Sequence, residues 1–203
     1  PVHSDYFSYG TPVLLSLSNR DILVGTSRNY IHVVDRKDGK LLSSYRLEDI
    51  REGYEHCNSV VYKDGAFYFV PSEEHGRGTI KLRLSPDGKF LHEVWRNRNV
   101  VNVFEGFVIV DSLLYTTLEK RKLVGLDTGT GRIEYSVRAV SGNIVTADNM
   151  LIVYGHNGTV QLFSLAGGEP ELRSEFRIIH GSGPHFSFPV IAEDVMYIRR
   201  GEA

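Results

Sequence analysis

A short apolar stretch runs into a polar residue and a glycine-containing turn, then resumes, and this pattern recurs through the 203-residue chain. Its clearest copy is Leu123-Val124-Gly125-Leu126-Asp127-Thr128-Gly129-Thr130-Gly131-Arg132-Ile133-Glu134-Tyr135. Variants begin at Val34-Asp35 with the turn Asp38-Gly39, at Leu84-Ser85 with Asp87-Gly88, and at Leu165-Ala166 with Gly167-Gly168. Short alternating segments around such turns have the chemistry of a β-hairpin. The turn glycines return roughly every 40 residues, and a repeating unit of that size built only from short strands reads as one four-stranded blade of a β-propeller. No other feature limits the possible folds as strongly. It predicts an all-β chain of antiparallel blades in a single domain, residues 1–203.

Read in order, the repeats fall at about 11–47, 58–97, 100–138, 142–178 and 185–203, the last one incomplete. In the first, Pro12 to Leu17, Ile22 to Thr26, Tyr30 to Asp35 and Lys40 to Leu47 are strands rich in β-branched and aromatic residues. In the second, Val60 to Val70 folds back at Asp64-Gly65, a pair suited to a type I′ turn. Ile80 to Leu84 and Phe90 to Arg96 complete that repeat. The third comprises Val100 to Val110, Leu113 to Leu118, Lys122 to Asp127 and Arg132 to Arg138. The fourth comprises Asn143 to Ala147, Met150 to Tyr154, Thr159 to Leu165 and Glu171 to Ile178. Asn157-Gly158 is a second type I′ signal. Phe186 to Ala192 and Val195 to Arg199 open the fifth. No helical period is present, and Leu47 to Gly53 is at most one turn. The expectation is about four and a half blades of a larger propeller, since Pro1 to Tyr9 is too short to supply two missing strands. An unfinished blade leaves a strand edge bare, which predicts self-association.

Composition removes several function classes. The net charge is −2 and the charges are mixed, so nucleic acid is not the expected partner. Arg96-Asn97-Arg98 is the densest basic spot and reads as a solvated strand end. Cys57 is the single cysteine, which excludes an internal disulfide and a cysteine-built zinc site. No apolar run approaches the ~20 residues of a membrane-crossing helix. The histidines show no His-Glu-x-x-His, and His180 and His185 flank a Gly-Ser-Gly-Pro loop whose polarity explains them without a metal. Asp35 to Gly39 lacks the alternating oxygen ligands of a calcium loop. No serine has a nucleophile context.

At Gly125-Leu126-Asp127-Thr128-Gly129-Thr130-Gly131-Arg132-Ile133-Glu134-Tyr135 the chain resembles the pyrroloquinoline-quinone-type (quinoprotein alcohol dehydrogenase-like) propeller repeat. In that pattern Gly125 stands for Ala and Tyr135 for Trp, while Asp127, Thr130 and Gly131 match. Phe188 to Ile198, containing Pro189-Val190-Ile191-Ala192, is similar to the opening strand pair of the repeat. Ser85 and Ser164 replace the Asp in other units. The resemblance implies an eight-bladed propeller when whole and an extracytoplasmic, periplasmic setting. It implies one of two functions. One is a dehydrogenase carrying pyrroloquinoline quinone with calcium. The other is a non-catalytic scaffold, like the lipoprotein of the outer-membrane barrel-assembly machinery. Cys57 lacks the adjacent cysteine of the family's alcohol dehydrogenases, and no Glu, Asn and Asp set for calcium assembles from these residues. The expected reading is therefore a binding scaffold for a protein partner or a small ligand at the propeller face, with no cofactor, no metal and no catalytic residue.

Blade geometry names candidate ligand-binding residues without a motif. The segment leading into each first strand, and the turn from second to third strand, open on one face, where propeller ligands bind. The lead-in segments supply His56, Asn58, Asn102, Glu105, Asn143 and His185. The turns supply His156, with Arg28, Asn29, Glu73 to His75, Glu119, Lys120 and Asn157 beside it. Polar capping and channel hydration are the simpler roles for all of them. A hydrolase or lyase acting through His56 and His185 is a weaker alternative.

Overall fold

The structure is a computed structural model that describes residues 8–47, 56–72 and 78–201. Most of Pro1 to Tyr9, the helical turn expected after Leu47, and the Glu73 to His75 turn lie outside the described residues. Among the described residues there is no helix. The chain divides into two compact units, Pro1–Val103 and Phe104–Ala203.

The first unit holds two four-stranded antiparallel meanders. One contains β1 (Val13–Ser16), β2 (Asp21–Thr26), β3 (Tyr30–Asp35) and β4 (Leu41–Arg46); the other contains β5 (Val61–Lys63), β6 (Ala66–Phe69), β7 (Thr79–Leu84) and β8 (Leu91–Asn97). The second unit holds two more. These are β9 (Phe107–Val110), β10 (Leu113–Leu118), β11 (Lys122–Asp127) and β12 (Ile133–Arg138), then β13 (Gly142–Ala147), β14 (Met150–Gly155), β15 (Thr159–Ser164) and β16 (Glu171–Arg177). A two-stranded sheet, β17 (Val190–Ala192) and β18 (Val195–Tyr197), follows. In each complete sheet the strands pair in chain order, so every connection is a local turn.

Burial concentrates on the middle strands. Ile22, Val24, Ile31 and Val33 of the first sheet pack with Phe67, Phe69, Ile80 and Leu82 of the second. In the second unit Tyr115 and Leu123 pack with Ile144, Leu151, Val153 and Phe163. Ile152, Tyr154 and Val160 are covered by Met196 and Ile198. The fourth strands lie outside, and β16 is exposed along its whole length. The polar Arg-Ser-Glu run within it fits that position.

Asp127 shows why the recurring turn forms. Its Oδ1 accepts from the Thr130 amide at 2.7 Å and from the Thr130 hydroxyl at 2.7 Å. The Gly131 amide bonds the Asp127 carbonyl at 2.8 Å, and Gly131 has φ 73°. Asp35 repeats this with the Lys37 amide and Gly39. At Ser85 a hydroxyl does the same work, accepting from Lys89 and Phe90 amides.

Three features depart from expectation. Asp64 and Gly65 both have positive φ, as type I′ requires, but Asn157 does not share the positive φ of Gly158. There the loop is three residues, His156 to Gly158, with the Gly158 amide on the Gly155 carbonyl at 2.8 Å. That is a turn closed by a left-handed glycine. The strand expected from Val100 begins only at Phe107, and that expected from Phe186 begins only at Val190. Finally, the third and fourth strands of every complete sheet slip register once, at Val33/Val34, Lys81/Leu82, Gly125/Leu126 and Leu162/Phe163. A bulge at a corresponding place bends each outer strand and increases its twist.

Tyr45 joins the outer strands of the first unit. Its hydroxyl donates to Glu93 of β8, and Arg96 donates to Glu93 at 2.7 Å and to the Tyr45 oxygen at 3.0 Å. Burial, reinforced by the Glu93 carboxylate, pushes the Tyr45 phenol up to about 12. A raised phenol contributes stability that is complete below its ordinary value near 10 and is lost as pH climbs through about 12. Burial raises Tyr115 to about 12 as well. The melting temperature is therefore expected to fall between pH ~10 and ~12, and less steeply in Tyr45→Phe, as followed by circular dichroism. Packing gives a second expectation. A Cβ on Gly142 would lie 2.0 Å from the Tyr154 carbonyl oxygen, whereas Gly167 has open space around it. Gly142→Ala should cost about 1–3 kcal/mol in denaturant unfolding, with Gly167→Ala close to neutral.

Candidate functional site

The lead-in segments are polar and buried together, which is unusual for loops and requires that their polar groups be paired. In the first unit His56 is fully buried. Its Nδ1 accepts from the Ser72 amide at 3.2 Å, so Nε2 carries the hydrogen and donates to the Arg28 carbonyl at 3.0 Å. The ring meets Phe69 edge-on at 5.0 Å. Both nitrogens are committed to backbone, which leaves His56 no lone pair for proton transfer.

Asn58 lies in the same segment, buried at 3% exposure. Its Nδ2 donates to the Val70 carbonyl at 2.8 Å and to Asn102 Oδ1 at 2.7 Å. Asn102 is fully buried and belongs to the segment leading into β9. The Ser72 hydroxyl donates to the Val103 carbonyl at 2.9 Å, beside a Ser72–Asn102 bridge. Each of these bonds ties one lead-in segment to the second-strand end or to the next lead-in segment.

The second unit repeats the device. Asn143 is fully buried, and its Nδ2 donates to the Phe186 carbonyl at 2.7 Å and the Ser187 carbonyl at 2.9 Å. Glu105 is buried at 1%; its carboxylate accepts from the Phe104 amide, and its carbonyl accepts from the Ile144 amide. His185 is buried and hydrogen-bonds through Nδ1 to the Tyr154 hydroxyl, with the rings edge-on at 5.5 Å. Gly158 admits this histidine: a Cβ there would stand 2.8 Å from His185 Cε1. His156 is half-buried between Phe104, at 4.9 Å, and Phe186, at 5.6 Å.

Both histidines of this unit are held below the ordinary imidazole value. Burial does this at His156, against a weaker pull from Glu119, and at His185 burial is joined by the charges of Arg200 and Arg177. Both are neutral at pH 7. The structure thus gathers Asn58 with Asn102, Asn143 with the His185-Phe186-Ser187 segment, and His156 with Phe186. Among the described residues no three His, Cys, Asp or Glu side chains come together as a metal site. Calcium demands six to eight oxygens, and these residues do not form such a cage.

An open groove of about 410 Å3 lies on the same side of the second unit, where second strands turn into third ones. Arg121, Arg138, Asn157, Thr159, Gln161 and Glu175 line it. Gln161, 7% exposed, forms its wall: Oε1 accepts from the Val140 amide at 2.8 Å and Nε2 donates to Glu175 at 2.6 Å. Of these residues only Asn157 stood among the sequence candidates. Arg121 and Arg138 gave no motif, because their significance comes from register across β11 and β12.

No protein-family profile matches the chain, and no curated protein does. Among solved structures it is similar to BamB from Moraxella catarrhalis, at 14% identity and a TM-score of 0.60, covering 92% of this chain and 53% of that one. It is also similar to the computationally designed Ika4 protein, at 14% identity and a TM-score of 0.54, covering 76% of this chain and 91% of that one. The chain spans about half the length of the BamB chain. At this identity the likeness shows the fold: all-β, with the four-stranded antiparallel blades of a β-propeller.

The asparagine clasp predicts a stability effect. Asn143→Ala removes a buried amide that donates to the Phe186 and Ser187 carbonyls and should lower unfolding stability by about 1–3 kcal/mol in urea titration, while Asn157→Ala, on an exposed turn, costs less.

Proposed function

We propose that this chain is a non-catalytic β-propeller module that binds other proteins, of the quinoprotein-like class and working outside the cytoplasm. One observation carries the reading: the polar side chains at the lead-in segments are largely engaged in hydrogen bonds to neighbouring segments of their own unit. His56 binds backbone through both nitrogens, and Asn58 and Asn143 clasp the next segment. What remains exposed on that side is a groove with cationic side chains and no nucleophile or metal cluster among the described residues. Surface of this kind suits recognition better than bond chemistry. The likeness to BamB supports the architecture on which the reading rests. No helix of the described residues is long and apolar enough to cross a membrane.

The competing reading is part of a dehydrogenase using pyrroloquinoline quinone and calcium. Incubating the purified chain with quinone, calcium, primary alcohols or sugars, and a redox dye decides between them. The scaffold reading expects dye reduction no faster than in protein-free controls. Substrate-dependent reduction above that background overturns it.

A further inference from the structure

The aspartates are sorted along the sheets. Every described aspartate lies in or beside a turn joining a first to a second strand, or a third to a fourth. Turn geometry accounts for them, as at Asp127. At the opposite ends of three sheets an arginine closes the fourth strand. Arg46, Arg138 and Arg177 close β4, β12 and β16, and each stands opposite the first residue of its third strand, respectively Tyr30, Lys122 and Thr159.

In the second unit this arrangement works against the fold in two ways. Lys122 and Arg138 are direct cross-strand partners, and like charges facing each other destabilise a strand pair. Arg121, immediately before Lys122, has φ 55°, a left-handed conformation that favours glycine. The corresponding turn of the next sheet has Gly158 in that role. Neither Arg121 nor Arg138 forms an ion pair among the described residues. Two unfavourable local choices thus meet at the groove that these arginines line. Positive-φ side chains occur at other turns too, but at Arg121 the strained backbone coincides with a like-charge strand pair beside one concave surface, a combination that a bound ligand would compensate.

We propose that the groove binds an extended segment of a partner protein bearing adjacent carboxylate side chains. The guanidinium fork matches a carboxylate with two parallel hydrogen bonds. Asn157, Thr159 and the buried Gln161 offer polar contacts beside it, and half-exposed Leu172 with Val140 offers an apolar margin. Glu175 lines the groove with the arginines, which disfavours a densely charged polyphosphate and leaves room for a peptide of modest charge. The inference rests on the binding-module reading and names its site and partner chemistry.

The test uses the whole chain and a fluorescein-labelled hexaglutamate peptide, followed by fluorescence anisotropy at low ionic strength. Saturable binding is expected. Arg121→Gln and Arg138→Gln should each weaken it about tenfold, the loss of one charge-assisted contact. Arg132→Gln, at the other end of the same sheet, should leave it unchanged. Arg121→Gly is the decisive variant, because it relieves the left-handed backbone: its melting temperature should equal or exceed that of the unaltered chain while binding falls. Absence of saturable binding overturns the proposal. So does equal weakening by Arg132→Gln, which indicates diffuse attraction, or displacement of the peptide by equimolar tripolyphosphate, which indicates a phosphate site. A chain that binds no peptide and reduces no dye removes the groove and leaves the scaffold reading standing; dye reduction removes the scaffold reading whatever the peptide does.

Discussion

A meander of four short strands has two faces and can bury neither by itself. That constraint governs the molecule. Ile22, Val24, Ile31 and Val33 become fully buried only because Phe67, Phe69, Ile80 and Leu82 of the adjacent sheet cover them. The second unit repeats the solution with Leu123, Leu151, Val153 and Phe163. The middle strands therefore carry the apolar load, and the outer ones are free to be polar. The bulge in each fourth strand follows from the same geometry. Each bulge adds local twist to the outer strand.

Packing faces against each other leaves the ends of the sheets to be tied. Here the ties are polar and buried. Asn58 reaches Asn102, Asn143 reaches Phe186 and Ser187, and Tyr45 reaches Glu93 across the outer strands. Such bonds are modest in net energy, yet their directionality fixes how one segment sits on the next, which apolar contact alone does not. Buried polar residues at a lead-in segment thus have a structural use that exposure-blind reasoning takes for ligand chemistry.

The fold was legible because its punctuation is chemical. Asp127 with Thr130 and Gly131, Asp38-Gly39, Asp64-Gly65 and Asp87-Gly88 each demand a specific turn, and the alternation between them sets the strands. Legibility stopped where backbone geometry did not need its usual residue. Asp148-Asn149 and Glu193-Asp194 adopt positive φ in pairs without glycine, and Asp111 and Arg121 do so singly. The bulges left no mark, since the extra residue is as varied as Leu42, Val94, Glu134 and Arg173. At the candidate site the sequence located the right ends of the strands, but it ranked residues by type. Histidine and asparagine drew attention, although His56 and Asn58 are bound to neighbouring segments and Asn143 is bound through its amide nitrogen. The arginines that remain open look like ordinary surface charge until register places Arg138 against Lys122.

That contrast separates two kinds of polar residue on a repeat protein. A clasp residue is buried and donates to the neighbouring segment, as Asn143 does through its amide nitrogen. A recognition residue is exposed, lacks an internal partner and is placed against the preference of its own backbone or neighbour, as Arg121 and Arg138 are. Clasp residues are dictated by the need of each sheet for the next one. On the proposed reading, recognition residues answer to a partner rather than to the fold. On that reading stability and binding would occupy different residues on the same ends of the same strands. A surface built this way can change its partner by exchanging arginines without disturbing the asparagines that hold the sheets.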